Sequence, residues 1–256
     1  MSYKRFFQDS ERLTPLKTQP GRSAFSKCHR MINTVRIGPA MLIQMLETGP
    51  LMVNCYIVAD ESSKEAAVFD PGGDADQILN TLSEQGLQLK YIINTHTHWD
   101  HVGGNGELHE ATGAPILTHP REAPGLRAVS TRAAQFGAAA SDSEATQYIE
   151  EGDVVVLGGI QFQVIDLRGH SPAGLGFVFE GEVDVDGARR VRKLVICGDA
   201  LFAGSIGRTD FPGGDTDLLL ENIRTKIFSL PDDTLVLPGH GPVSTVGHEK
   251  RHNPFF

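Results

Sequence analysis

The chain has 256 residues, 40% hydrophobic and 21% charged, with 23 Lys and Arg against 32 Asp and Glu for a net charge of −9. This is the composition of an ordinary globular chain with a full core, and an acidic balance without a basic stripe argues against a nucleic-acid surface. No run reaches the roughly 18 apolar residues a spanning helix needs, and MSYKRFFQDSERLTPLK has no apolar signal core, so no membrane partner is expected. Cys28, Cys55 and Cys197 follow no paired spacing, which points to reduced thiols and a cytoplasmic setting.

Residues 1–33 carry Pro15, Pro20 and Gly21 and no sustained period, and read as a loosely packed extension ahead of one domain over 34–256. From Val35 onward short β-favouring runs alternate with turn residues. LMVNCYIVAD and EAAVFDPGG read as two strands, and DADQILNTLSEQG as a helix with Ile78, Leu79 and Leu82 on one face and Gly86 as its stop. YIINT is a strand, GGNGELHEATG a short helix and APILTH another strand; the Ala-rich stretch from Arg121 to Ala140 reads as helix, broken near Gly137. EGDVVVLGGIQFQVIDLRGH supplies two strands, GLGFVFEGEVDVDGARRVRKLVICGD a hairpin, DTDLLLENIRTKIFSL a helix and TLVLPGH a last strand. Two groups of strands with interleaved helices predict a layered α/β sandwich, helices covering both outer faces.

Each strand-to-loop junction in this reading ends in a potential metal ligand. YIIN leads to THTHWDH, with His96, His98, Asp100 and His101; FQVIDLRG leads to His170, LVICG to Asp199 and TLVLPG to His240. Ligands on loops at strand ends can converge at one edge of rigid sheets. Two divalent ions about 3.5–4 Å apart need several ligands and a shared oxygen donor, which five His and two Asp can provide. Imidazole and carboxylate donors suit Zn or Fe(II), and the absence of cysteine ligands argues against a closed structural zinc site. A lone strand-end histidine is usually a hydrogen-bonded structural residue; HxHxDH together with three further strand-end sites is not.

THTHWDH, GHSPAG, GDALF and LPGHGP resemble the successive motifs of the metallo-β-lactamase superfamily. Within it, GSIGRTDFPGGD and the tail HEKRHNPF are similar to the short glyoxalase II-like (hydroxyacylglutathione hydrolase-like) hydrolases. The resemblance runs from about Val35 to the end and implies a four-layer αββα sandwich. It implies that His96, His98 and His170 hold one metal and Asp100, His101 and His240 the other, with Asp199 bridging. Two departures stand out: Ala173 replaces the glycine common after GH[ST]P, and the helical C-terminal domain of full-length glyoxalase II is missing.

Two close divalent ions lower the pKa of a shared water, and the resulting hydroxide attacks an electrophilic carbonyl, with Asp100 and Asp199 at the reacting centre. No general acid stands beside the cluster in sequence, so a thiolate leaving group fits better than an amine. The expected activity is hydrolysis of a glutathione-type thioester with two divalent ions, Zn or Fe. A mononuclear-iron persulfide dioxygenase shares GRTDF and the seven ligand residues and is the alternative, with a lactonase or other ester hydrolase as a further one. Arg208, among glycines 204, 207, 213 and 214, is expected to grip a glutathione carboxylate; the competing reading pairs it with Asp210 or Asp215. His248-Glu249-Lys250-Arg251-His252 matches the zinc-protease pattern HExxH, but is read as a packed tail that lacks the necessary helix and third ligand. Ser171, with no nucleophile-elbow motif around it, is read as a turn residue.

Overall fold

The alternation in VNCYIVAD sorts its side chains between two cores. Tyr56 and Val58 join one cluster, while Cys55, Ile57 and Ala59 join another on the opposite face. This is what the period of two in a strand buried on both faces requires. The computed structural model describes residues 35–37, 41–185 and 188–256; the extension read over 1–33 lies outside the described residues.

The first sheet has seven strands in chain order: β1 (Val35–Ile37), β2 (Met41–Thr48), β3 (Val53–Asp60), β4 (Glu65–Phe69), β5 (Gln88–Ile93), β6 (Ile116–Thr118) and β7 (Gln147–Tyr148). The second contains β8 (Val154–Leu157), β9 (Ile160–Asp166), β10 (Leu175–Val185), β11 (Ala188–Gly198), β14 (Leu235–Pro238) and β15 (Ser244–Thr245), in the order β15-β14-β11-β10-β9-β8. A small hairpin, β12 (Leu201–Phe202) with β13 (Ser205–Ile206), lies apart.

The sheets face each other across a core that includes Phe69 from the first and Phe162 and Phe177 from the second. Phe69 meets each of those rings edge-on at 5.2 Å between centroids, the geometry the ring quadrupoles favour. Behind the first sheet lies the helix Ala75–Glu84, which buries Ile78 and Leu82, each burial stabilising by about 1.5–3 kcal/mol. Gly86, at φ 64°, ends that helix in the left-handed conformation glycine adopts without a Cβ penalty. Behind the second sheet, Val195 and Cys197 pack on Leu219, Ile223 and Ile227. Three cores between four layers make the αββα sandwich.

Two predicted helices are shorter than expected. The Ala-rich stretch divides into a 3₁₀ segment, Ala123–Ala128, and a helix, Val129–Gln135, because its first half docks under the THTHWDH loop instead of lying free. DTDLLLENIRTKIFSL is α-helical only over Thr216–Asn222, where Asp215 caps Leu218 N at 3.0 Å, and then widens into a π-type turn at Ile223–Ile227.

Candidate metal centre

All seven candidate ligands reach one edge of the sandwich, because β5, β9, β11 and β14 point their carboxyl ends there. β5 releases the loop with His96 and His98 and then the one-turn helix Trp99–Val102, which carries Asp100 and His101. β9 leads to His170, β11 to Asp199 and β14 to His240. The last two loops lie against each other: a Cβ on Gly239 would stand 2.3 Å from Asp199 Oδ1, so only glycine permits this approach.

The side chains gather into two groups. His98 Nδ1 lies 3.0 Å from both His96 Nε2 and His170 Nε2. His240 Nε2 lies 3.3 Å from Asp100 Oδ2, and His101 Nε2 lies 3.9 Å from the same oxygen. Asp199 stands between the groups, with Oδ1 3.3 Å from His101 Nε2 and Oδ2 3.7 and 3.8 Å from the Nε2 atoms of His170 and His240. The three histidines form one set with mutually close ligand atoms, and Asp100, His101 and His240 form a second.

In three of the five rings the nitrogen that faces away from the group has an orienting partner. His96 Nδ1 meets Thr95 Oγ1 at 3.0 Å, His101 Nδ1 donates to Asp70 Oδ2 at 3.1 Å, and His170 Nδ1 donates to the Arg208 carbonyl at 2.7 Å. Such contacts fix tautomer and ring orientation, as around metal-ligating histidines. Asp70 also falls within coordinating distance of His96 and His101. Its oxygens, however, already accept from Thr95 N at 2.8 Å and Thr95 Oγ1 at 2.7 Å, which makes it an orienting group.

The electrostatics suit a cation. Burial, then the neighbouring imidazoles, hold His96 well below its ordinary pKa, and burial with His170 brings His98 to about 4. Their lone pairs are therefore available at neutral pH. Burial pushes His101 down as well, but Asp199 and Asp100 outweigh it and raise the ring well above its usual value. Burial works against ionising Asp100 and Asp199, yet His101 and the other imidazoles hold both below the usual carboxylate range. His101 Nε2 and Asp199 Oδ1 are buried 3.3 Å apart with no well-formed hydrogen bond to any group, and a cation held between them would take the place of the ring proton and satisfy both. The donor set fits divalent metal.

Other predicted residues fall elsewhere. Arg208 forms a two-pronged pair with Asp210, both contacts at 2.7 Å, and lies 3.8 Å over the Phe211 ring, which itself packs edge-on against His98 at 5.6 Å. Gly207 serves the chain's own packing, since a Cβ there would run into the Asp199 carbonyl oxygen. The reading that the HExxH tail lacks a helix is corrected, since Val246–His252 is helical and brings the His248 and His252 rings to 4.8 Å. Thr245 supplies the N-cap that HGPVST does not advertise, accepting from His248 N. Glu249 is fully buried and accepts from Gly204 N and Asn253 Nδ2, both at 2.9 Å, and from Ser244 Oγ, so it is an anchor in the fold. Ser171 is buried in its turn, and Ala173 has an ordinary backbone, its N–H donating to Glu122 Oε1 at 2.9 Å. Nothing in the sequence marks Glu122 or Asp70 as part of the site: the first lies in an Ala-rich stretch with helical character and the second at the end of a strand.

A family model described as the Metallo-beta-lactamase superfamily matches residues 48–240. The hydroxyacylglutathione hydrolase GloC of Haemophilus influenzae is 35% identical over 218 residues, covering 84% of this chain and 98% of that protein. The crystal structure of TTHA1623 in a di-iron-bound form is similar at a TM-score of 0.70 and 36% identity, covering 83% of this chain and 99% of that one. BLEG-1 B3 metallo-beta-lactamase is similar at a TM-score of 0.71 and 32% identity, covering 83% of this chain and 98% of that one.

Proposed function

Because the chain belongs to the metallo-β-lactamase superfamily, we propose that it is a metal-dependent hydrolase that cleaves a glutathione-type thioester. The observation that carries this reading is the convergence of seven imidazole and carboxylate side chains at one sheet edge with Asp199 between the two groups. His96, His98 and His170 would hold one divalent ion, Asp100, His101 and His240 a second, and Asp199 would serve both. Zinc and iron both suit this donor set. Bound there, the ions supply Lewis acidity that polarises a carbonyl and makes water nucleophilic near neutral pH.

The residues supply the rest. Asp100, held anionic below its usual range, would accept a hydrogen bond from the attacking water and orient it. Asp100 and Asp199 are both held anionic, so neither donates a proton to a departing group at neutral pH. A thiolate leaves without that help, whereas an amine does not. The 35% identical relative is a hydroxyacylglutathione hydrolase, which supports a glutathione conjugate as the substrate class. The Arg208 loop would serve twice: its carbonyl orients His170, and its guanidinium, paired here with Asp210, would exchange that partner for a glutathione carboxylate.

Metal analysis of anaerobically purified protein, paired with assays on S-lactoylglutathione and glutathione persulfide, tests the proposal. Up to two ions per chain and thiol release from the thioester are expected. Metal-replete protein that releases no thiol but consumes oxygen with the persulfide would replace the reading with an oxidoreductase.

A further inference from the structure

Behind the three-histidine group lies a carboxylate that touches none of the seven candidate ligands. Glu122, 4% exposed, opens the 3₁₀ segment that docks under the THTHWDH loop. Its Oε2 accepts from Thr97 N at 3.1 Å and Thr97 Oγ1 at 2.9 Å, and its Oε1 accepts from Ala173 N at 2.9 Å. Thr97 stands between His96 and His98, and Ala173 follows His170 by three residues. A backbone bond, Leu175 N to Thr95 O at 2.8 Å, joins the same two segments one step behind the histidines. Glu122 ties their tips.

We propose that Glu122 is a positioning residue for one metal site only, its carboxylate clamping the loop of His96 and His98, from the first sheet, to the loop of His170, from the second. A buried carboxylate needs donors in place of the water it loses, and here two backbone N–H groups and a hydroxyl occupy three of its roughly four acceptor sites. The Asp100, His101 and His240 group is braced elsewhere. Asp70 holds His101, and Asn54 Nδ2 donates to the carbonyls of Pro238 at 3.0 Å and Gly241 at 2.8 Å, on either side of His240. Loosening Glu122 therefore frees the angle between His170 and the pair His96/His98 and leaves the second group in place. Glu122→Gln keeps the shape but turns one of its two acceptors into a donor facing an N–H, so one half of the clamp opens.

The inference rests on the proposed ligand set, and the experiment separates the two. Apo wild type, Glu122→Gln and His170→Ala are titrated with zinc against a chromophoric chelator and, in parallel, with Co(II) followed by its visible absorption. Glu122→Gln is expected to bind one of two ions about ten- to a hundredfold more weakly, with an altered Co(II) spectrum for that ion and the other unchanged. His170→Ala is expected to lose the same ion. Should Glu122→Gln not fold, Thr97→Val, which removes one donor to the clamp, is read by the same outcomes with a smaller shift. Glu122→Gln that binds both ions as wild type does, or weakens both alike while His170→Ala loses one, overturns the clamp. His170→Ala that keeps both ions overturns the ligand set, and the clamp with it.

Discussion

Asp70 Oδ2 accepts the Nδ1 proton of His101 at 3.1 Å, which leaves Nε2 as the nitrogen that faces Asp199 and Asp100. An amide in place of that carboxylate can present N–H to Nδ1 and favour the other tautomer. Asp70→Asn should weaken one ion's binding by about ten- to a hundredfold, and lower turnover with it. Dialysis against a graded chelator series followed by elemental analysis checks this; wild-type retention of both ions would leave Asp70 a purely structural acceptor.

Asp199→Ala should cost more than one ion's worth of binding, because Asp199 faces His101 with one oxygen and His170 and His240 with the other. The measurement is metal content per folded chain. Full metal content and activity in the variant would remove Asp199 from the site.

In the C-terminal helix the two halves of the HExxH pattern should separate. His248→Ala is expected to leave metal content and turnover unchanged. Glu249→Ala should leave metal content unchanged but lower stability by at least about 1–3 kcal/mol, because it strands the donors Gly204 N, Ser244 Oγ and Asn253 Nδ2. Urea unfolding with parallel metal analysis distinguishes the two effects, and loss of an ion in folded His248→Ala contradicts the assignment.

Arg208→Ala should raise KM by about ten- to a hundredfold with kcat near wild type, if the guanidinium grips the unreacting part of the substrate through a charged hydrogen bond of roughly 1.5–3 kcal/mol. The exposed Asp210 competes for the same fork, so Asp210→Ala should leave KM unchanged or lower it. Equal increases in KM for both variants would mean that the pair only stiffens the loop.

Acid should weaken the junction between the sheets at Asp60. Burial raises the pKa of its carboxyl, but the N–H groups of Gly159, Ser62 and Ser63 outweigh this and hold it below its ordinary value. The folded value lies below the unfolded one, near about 3.9, so the contribution is complete above that pH and disappears as pH falls through the folded value. Asp60→Asn should therefore unfold at lower urea than wild type at pH 7, with the gap narrowing as pH falls below the ordinary carboxylate range. A gap independent of pH would assign the loss to packing alone.

Much of this was legible because strand periods and strand-end ligands are local signals. HxHxDH, GHSPAG, GDALF and LPGHGP each mark their own junction, and an apolar run such as VNCYIVAD declares burial on both faces. The supporting groups were not legible for the opposite reason. Glu122 reads as one more surface carboxylate in an Ala-rich helix, and only the docking of that segment under Thr97 buries it. Pro254 two residues beyond hides the C-terminal helix, a capped segment of about two turns over Val246–His252. Contacts between residues 25 or 51 positions apart, as at Asp70–Thr95 and Glu122–Ala173, have no period to betray them.

The aromatic seam of Phe69, Phe162 and Phe177 and the metal centre have a shared fate. On the proposed ligand set neither sheet owns a complete set: His96, His98, Asp100 and His101 follow the first, and His170, Asp199 and His240 the second. A cation held there acts as an adhesive between two halves of the chain. Raising free metal to a hundred times its dissociation constant adds about 2.7 kcal/mol per site against their separation, by mass action alone. Metal starvation would thus be felt as a mechanical weakness deep in the sandwich, at rings that touch no ligand.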